Sequence, residues 1–468
     1  METAIPYKMV RLNADMLTPI GIFHALQGKK KFLLESTFLH EEKGAYSFIG
    51  MDPFQELICR GTEGVIIDYE KGTQTIKRGN LQSILNACMP PIDLSLPFPF
   101  YGGAIGYIGY DAARVYYQVG APLQDDLDMP DVDLMFYHTS IVFDHHDDSV
   151  YLITMNLDNQ TEHVLDIRLQ NLEQTIMGGV THAVTTAADD IYFEPEMNKA
   201  DFLNRIHQAK DYIEKEHAVE QIVLSQRLSA DFTGDPFAFY RKLRKKNPSP
   251  YMFYIDFESY VVLGASPESL VEVADTHVIT NPIAGTRPRG ESIAEDLKLT
   301  EELLADQKEI SEHLMLIESS KRDLQRICDA NRITVPIHMK IEKYEHVMHI
   351  VSQVHGELSP GFTSIDALLA CLPAGTVSGS PRERAMQIIN ELEEQKRGVY
   401  GGGIGYINVN HDLNMALAIR SLLIKGEKAY LQAGAGIVKD SIPENEFHET
   451  MHKAKSIMQV AAYDVASI

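Results

Sequence analysis

The sequence predicts a mixed α+β protein. Three observations carry that expectation: short strand-like segments dominate the first half, long runs of helical periodicity follow, and the two kinds alternate irregularly with hairpin-like strand pairs. A doubly wound parallel sheet would need strand and helix in regular alternation. In order along the chain, residues 31–34, 46–50, 64–68 and 140–144 read as strands, because apolar and β-branched residues there are bounded by charged or glycine-bearing turns. Tyr101-Gly-Gly-Ala-Ile-Gly-Tyr107 and Tyr400-Gly-Gly-Gly-Ile-Gly-Tyr406 alternate small and large side chains, as strands do where another backbone or a ligand comes close. An internal repeat and two unrelated glycine-rich strands explain them equally well. The polar, alanine-rich stretch 177–190 sets the main boundary, leaving an N-terminal region, 1–180, and a second domain, 195–468. Beyond it, 200–217 and 292–331 carry helical periodicity, and 221–229, 251–257 and 260–263 read as strands. The last helix is expected to begin near Pro443, whose fixed φ suits a first turn, with Asp440 or Ser441 as its cap.

Charge narrows the classes of partner. The 468 residues hold 66 acidic and 42 basic side chains, a formal charge of −24, which disfavours nucleic acid and anionic membranes as partners. An anionic substrate therefore requires a local basic pocket. Cys59, Cys88, Cys328 and Cys371 are widely spaced without a CxxC pair, which suggests neither a zinc site nor a disulfide framework and fits a reducing compartment. Residues 1–11 lack the pattern of a secretory leader, and no run of about 18 apolar residues occurs, so the chain is expected to be soluble and cytoplasmic.

Several segments are suited to chemistry. Residues 281–290, Asn-Pro-Ile-Ala-Gly-Thr-Arg-Pro-Arg-Gly, join a hydroxyl and two guanidinium forks to a proline-stiffened turn, an anion-friendly composition that is also common in plain surface turns. Glu309 and Glu312 share one face of a helix, and Glu446 and Glu449 repeat the spacing. Either pair alone is ordinarily a solvated helix face, whereas both together would offer hard oxygen ligands to Mg²⁺. The strand Leu431-Gln-Ala-Gly-Ala-Gly-Ile-Val438 leaves backbone amides open to a carboxylate. Glu268, His349, Thr376 and Arg420 are polar residues in apolar or glycine-rich settings. A buried Arg420 needs either an internal acid or a ligand carboxylate, and a lone His349 is more often a hydrogen-bonded core residue than a catalyst.

Taken in order, Gln221, Gly264-Ala-Ser-Pro-Glu268, Pro282-Ile-Ala-Gly-Thr286, Glu312-His-Leu-Met-Leu316, His346-Val-Met-His349, Gly375-Thr-Val-Ser-Gly379, Tyr400-Gly-Gly-Gly403, Ala418-Ile-Arg420 and Gln432-Ala-Gly-Ala-Gly436 resemble the motifs of the chorismate-utilising enzymes. The resemblance spans most of residues 200–465. It implies an α/β fold of two packed antiparallel sheets surrounded by helices, a chorismate-binding catalytic domain at 195–468, and a need for Mg²⁺. By the same resemblance Glu312 and Glu449 would hold Mg²⁺, with Glu309 and Glu446 touching it directly or through water. Arg420, Tyr400 and the amides of Gly434, Ala435 and Gly436 would bind the enolpyruvyl carboxylate, and Gly285 and Thr286 would position the ring. Glu268 matches the general acid for the departing C4 hydroxyl, a role that requires a raised pKa. His349 and Thr376 match positions tied to later steps or to substrate placement.

Two positions separate the branches of the family. The water-using isochorismate and salicylate synthases carry a lysine base where this chain has Gln221, and many aminodeoxychorismate synthases carry a lysine where it has Ala284. The resemblance thus implies the anthranilate-forming branch, in which ammonia adds at C2, the C4 hydroxyl departs and pyruvate is eliminated. Aminodeoxychorismate synthesis is the enzymatic rival, and a catalytically degenerate binding homologue is the rival of another class. Leu33-Leu-Glu-Ser36, Tyr46-Ser-Phe-Ile-Gly50 and Asn247-Pro-Ser-Pro-Tyr-Met252 resemble the tryptophan feedback site of such enzymes. That likeness implies inhibition by tryptophan through Glu35, Ser36, Pro250, Tyr251 and Met252, most of the site lying in residues 1–180. No cysteine occupies the nucleophile turn of a glutamine amidotransferase, so ammonia is expected from a separate glutaminase subunit in a hetero-oligomer. The chain departs from the family pattern at His217-Ala-Val-Glu220, usually Gly-Asp-Ile-Phe, and at Ile317-Glu-Ser-Ser-Lys-Arg-Asp323, usually Val-Asp-Leu-x-Arg-Asn-Asp.

Overall fold

The computed structural model describes residues 6–36, 46–178, 191–290, 292–343 and 347–461. His346 and residues 179–190 of the expected boundary lie outside them. Two antiparallel sheets organise the chain. The first runs, edge to edge, Tyr7–Asn13, Ser149–Met155, Thr139–Asp144, Tyr46–Gly50, Phe32–Glu35, Tyr251–Asp256, Tyr260–Ser266, Ser421–Lys425, Lys428–Ile437, Gln221–Asp231 and Glu194–Pro195. The second runs Ile283–Pro288, Val347–Glu357, His277–Thr280, Ser269–Ala274, Leu413–Leu417, Gly403–Asn408, Gly103–Ile108, Val132–Tyr137, Gln55–Arg60, Glu63–Asp68 and Thr73–Arg78. Each sheet also carries one short or side-paired strand, Gly379–Ser380 and Thr334–Lys343 respectively. Both sheets mix strands from before and after the 177–190 stretch.

Strand alternation explains how the sheets stack. Phe32 and Leu34, like Phe253 and Ile255, enter a core shared with Leu57, Leu134, Phe136 and Met415 of the second sheet. Their neighbours Leu33, Met252 and Tyr254 face the opposite way, onto Ile22, Phe23, Phe237 and Tyr240 of the helices Pro19–Ala25 and Pro236–Lys246. Both faces of these strands are therefore dry, which is why they read as almost continuous apolar runs. The helices Lys199–Lys215 and Arg382–Leu392 close another part of the first sheet through Phe202, Ile206 and Ile388 against Ile222, Leu224 and Ala435. The two similar glycine-rich segments prove to be partners: Gly103–Ile108 and Gly403–Asn408 pair antiparallel at the middle of the second sheet, with Gly106 opposite Gly405.

Two local expectations need correction. The helical periodicity over 292–331 ends at 324 and is divided between two helices, Ile293–Ala305 and Gln307–Leu324. Asp306 breaks the run because its carboxylate accepts the amides of Lys308 and Glu309, the N-cap arrangement that starts a new helix. The last helix, Pro443–Ala461, does begin at Pro443, but neither proposed cap serves it in the expected way. Ser441 Oγ instead accepts the Val438 amide, and the backbone carbonyl of Ile442 receives Glu446 N–H.

Candidate active site

The chain passes between the sheets twice at one place. Tyr260–Ser266 lies in the first sheet and Ser269–Ala274 in the second, while Leu413–Leu417 lies in the second and Ser421–Lys425 in the first. These four strands pair two by two, so the crossings form a continuous antiparallel ribbon bent at residues 267–268 and 418–420. Ser266 Oγ donates to the Leu417 carbonyl, Leu417 N–H to the Glu268 carbonyl, and Ala265 N–H to the Arg420 carbonyl. Glu268 and Arg420 thus stand side by side at a bend that neither sheet can absorb. Arg420 has a φ of 50°, the left-handed region that a non-glycine residue adopts only under constraint.

These two groups are electrically unfinished. Glu268 is 9% exposed, and its one side-chain partner among the described residues is the Thr376 hydroxyl, which donates to Oε1 over 2.8 Å. Burial raises its pKa from 4.5 to about 7, although the Thr376 bond and the charges of Lys453 and Arg420 pull the other way. It is therefore partly protonated at neutrality, where an ordinary carboxyl is ionised. Burial lowers the pKa of Arg420, and no side-chain hydrogen bond or ion pair among the described residues reaches its guanidinium. Arg420 is half-buried, and no carboxylate among the described residues closes an ion pair with it. Tyr400, 7% exposed, faces the same place, and burial pushes its phenol up to about 12, so it stays protonated.

The strand Lys428–Ile437 forms another wall, and its small residues have a steric purpose. A side chain at Gly434 would meet Tyr400 OH at 2.7 Å, and one at Gly436 would meet the Gln221 amide nitrogen at 2.5 Å. Ala435, between them, turns into the core. Lys453 of the last helix donates to the Gly434 carbonyl over 2.9 Å and pairs with Glu449 at 2.7 Å. Sequence reasoning passed over this lysine. Its only local signal is the ordinary four-residue spacing from Glu449, because the contact with Gly434 is tertiary.

The strand Ile283–Pro288 carries Gly285 and Thr286 past Val347–Glu357, with a bulge between Ala284 and Thr286. Gly285 has a φ of 69°, which favours glycine, and a Cβ there would sit closely against Leu303, Ile350 and, at 3.3 Å, Glu309 Oε2. His349 Nδ1 lies 3.0 Å from the Gly285 carbonyl and 3.1 Å from Thr286 Oγ1. Burial lowers its pKa, so the ring is neutral, and because a carbonyl only accepts, Nδ1 carries the hydrogen and Nε2 the lone pair. Neither arginine of this segment points to a free anion site: Arg287 binds Asp306 and Glu309, and Arg289 binds Asp296.

All four helix glutamates converge from Gln307–Leu324 and Pro443–Ala461. Burial raises the pKa of Glu312, and the charges of Glu309, Glu449 and Glu446 add to it; burial and Glu449 do the same for Glu446. Three are met by cations: Glu309 by Arg287 at 3.2 Å, Glu312 by Lys308 at 3.7 Å and Glu449 by Lys453 at 2.7 Å. Mutually repelling carboxylates of this kind fit a hard divalent cation, which takes oxygen ligands. They are not drawn into a tight cage. Among the described residues, the one group whose histidine and carboxylate ligand atoms all lie within 4.8 Å of one another is Glu70, His138 and Asp158. Arg168 already bridges the two acids of that group.

The residues expected to bind an effector also meet. Glu35 pairs in register with Met252, which brings Ser36 beside the segment 250–252. Glu35 Oε2 accepts from Tyr240 OH over 2.7 Å and Arg244 Nε over 2.8 Å, while Oε1 is buried without a hydrogen-bond partner among the described residues. Among the described residues no helix is long and apolar enough to cross a membrane.

Comparison with known proteins gives the wider setting. A model of the chorismate binding enzyme family matches residues 32–459. Anthranilate synthase component 1 of Lactococcus lactis subsp. lactis (strain IL1403) is 41% identical over 458 residues, covering 97% of this chain and 99% of that protein. The protein of the same name from Thermus thermophilus is 38% identical and covers 98% of each. The crystal structure of anthranilate synthase component I from Streptococcus pneumoniae TIGR4 superposes with a TM-score of 0.83 at 37% identity, over 96% of this chain and 99% of that one. The menaquinone-specific isochorismate synthase of Escherichia coli shares the fold, with a TM-score of 0.74 at 19% identity over 98% and 96% of the two chains.

Proposed function

The chain belongs to the family of chorismate binding enzymes, and from that premise we propose that it is the chorismate-converting component of an anthranilate synthase, acting in tryptophan biosynthesis. The reaction is chorismate plus ammonia to anthranilate, pyruvate and water. One observation carries the reading: Glu268, a carboxyl that burial leaves partly protonated at neutrality, stands beside Arg420, whose guanidinium has no ion pair or side-chain hydrogen bond among the described residues. Such a pair suits a carboxylate-bearing substrate with a poor leaving group. Arg420, the Tyr400 hydroxyl and the backbone of Gly434, Ala435 and Gly436 would hold the enolpyruvyl carboxylate, and Gly285 and Thr286 would fix the ring. Glu268 would protonate the C4 hydroxyl as it leaves, with Thr376 aiming its carboxyl. The neutral His349, its lone pair on Nε2, suits proton removal during aromatisation.

Glu312 and Glu449, with Glu309 and Glu446 directly or through water, would hold Mg²⁺. Bound there, the ion would neutralise the ring carboxylate of chorismate. The choice of nucleophile rests on what the wall lacks. Gln221, packed over Gly436, carries an amide that takes no proton from water at neutral pH, and Ala284 puts a methyl where an amine would attack. Ammonia needs neither, and a glutamine amidotransferase subunit is its expected source.

Free tryptophan would bind between Ser36 and the segment 250–252, in the N-terminal part of the molecule. A physical route to Glu268 exists from there. Tyr251–Asp256 pairs with Tyr260–Ser266 so that Tyr251 lies opposite Ser266, two residues before the acid. The deciding experiment incubates the pure protein with chorismate, Mg²⁺ and ammonium. Fluorescent anthranilate is expected; accumulation of 4-amino-4-deoxychorismate would assign the chain to the folate branch, and no turnover would leave it a binding protein.

A further inference from the structure

A chamber of about 40 Å³ opens beside Glu268 and Thr376. Thr280 and Asn281 form one wall, Ser319 and Ser320 of the helix Gln307–Leu324 another, and Gly375 the gap between. Neither Arg420 nor Tyr400 nor any of the four helix glutamates lines it, so it adjoins the proposed substrate pocket without being part of it. Three of its polar atoms are unanswered among the described residues: Ser269 Oγ, Thr280 Oγ1 and Asn281 Oδ1 are buried without a hydrogen-bond partner, and Thr280 is only 5% exposed. Orphaned groups of this kind are costly unless water meets them, and the volume accommodates about three waters.

The chamber is dry-walled at one end and open at the other. Glu268 and Thr280 are buried, whereas Ser319, Ser320 and residues 374–376 are half-exposed. Gly375 faces Ser319 across the passage, and a Cβ there would stand 3.4 Å from Ser319 Oγ, an ordinary contact. Ser319 is also a departure from the family pattern, a hydroxyl where leucine is usual. Apart from Glu268, the ionisable side chains in the wall are Asp323, ion-paired with Arg382, and Cys371, whose thiol burial holds well above its ordinary range.

We propose that this chamber is the proton-return path of Glu268, a short file of waters held by Thr280, Asn281 and Ser319 that joins the carboxyl to solvent. The inference rests on the function proposed above. In that reaction the C4–O bond breaks as the C2–N bond forms, and the Glu268 proton leaves with the hydroxyl as water. The carboxylate must then regain one proton, and the new ammonium group must lose one, so a single proton released to water balances the one taken up. Thr376 cannot supply it alone, because its one hydroxyl hydrogen already bridges to Glu268 and would itself need replacement.

The test uses the whole chain with chorismate, Mg²⁺ and ammonium in H₂O and in D₂O. Thr280→Val removes the hydroxyl at nearly constant volume, Thr280→Ser keeps it, and Ser319→Phe fills the chamber. Thr280→Val and Ser319→Phe are expected to lower kcat about fivefold or more and to raise its solvent isotope effect, with KM for chorismate changed less than about twofold. Thr280→Ser should match the unaltered protein. Equal losses in Thr280→Val and Thr280→Ser, or an unchanged kcat and isotope effect in Ser319→Phe, would overturn the proposal. Should Ser319→Phe fail to fold, the Thr280 pair decides alone. Absence of anthranilate from the unaltered protein would instead reject the proposed reaction, an outcome distinct from any pattern among the variants.

Discussion

Arg397 and Arg420 both act on the Tyr400 phenol, yet the fold treats them in opposite ways. The Arg397 side chain makes four hydrogen bonds, two to Glu393 and one each to the carbonyls of Val377 and Val223, and lies over the Tyr110 ring. Glu393 in turn accepts the amide and hydroxyl of Ser225. Nothing in that pair remains to be satisfied. Arg420 and Glu268 sit at the sheet crossing with the Thr376 hydroxyl bonded to Glu268 and, among the described residues, no ion pair to either. A guanidinium drawn partly out of water without a partner is costly, and a fold retains one where a ligand supplies the missing contact. The saturated pair holds the architecture together; the unsaturated one is where a substrate belongs.

Matched substitutions put this contrast to the test. Glu268→Gln keeps shape and burial but cannot release a proton, so anthranilate formation should fall by about 10² to 10⁴-fold with stability preserved. Glu393→Gln should do the reverse, leaving the Arg397 charge uncompensated and lowering the denaturation midpoint. A Glu268→Gln protein that still turns over at a tenth of the normal rate would remove the acid from the mechanism.

The arginines give the next largest effects. Arg397→Met strands Glu393 and should cost about 3–5 kcal/mol of folding stability, read from urea unfolding. Arg420→Met leaves no acid stranded, so stability should hold or rise while the KM for chorismate climbs by about 30-fold or more, the loss of a buried charge-assisted contact. Equal destabilisation by the two would mean that Arg420 is structural after all.

How much of this could be read from the sequence follows the same division. Fold class was legible because alternating apolar strands and helical runs are local patterns, and the strand at 46–50 was placed to the residue. Residues such as Glu268, Thr376 and Arg420 stood out because each is polar within an apolar or glycine-rich string, which is also a local property. Partnership was not legible. That Arg420 lacks an acid while Arg397 has one depends on strands far apart in the chain, and the Lys453 contact with Gly434 depends on how the last helix docks. The similarity of the two glycine-rich segments was visible, but their mutual pairing across about 300 residues follows from sheet topology. The break at Asp306 was hidden for a different reason, since a capping carboxylate inside a helical run leaves the hydrophobic period intact.

Smaller effects separate the effector region from the chemical one. Ser36→Ala should weaken inhibition by tryptophan about fivefold, the loss of one hydrogen bond, with kcat and the KM for chorismate unaltered. Unchanged inhibition would place the effector elsewhere. Glu35 makes a poor substitute test, because its carboxylate already ties Tyr240 and Arg244 and its loss would disturb packing first.

Thr376→Val should give the smallest effect and the one most specific to Glu268. The hydroxyl bond favours the charged carboxylate and so draws its pKa down from the level that burial alone would set, to about 7. With the acid required in its protonated form, kcat should decline as pH rises through about 7. Removing the hydroxyl raises the pKa further, so the alkaline limb of the kcat profile should move to higher pH, with the rate below it reduced only by looser aiming of the carboxyl. Stability follows the same sign. A carboxyl whose folded pKa exceeds its ordinary 4.5 contributes most below that value and loses its contribution as pH rises through the folded pKa, so Thr376→Val should extend that window upward. A limb that stays in place, or moves to lower pH, would show that the titrating acid is a different group from the one at the crossing.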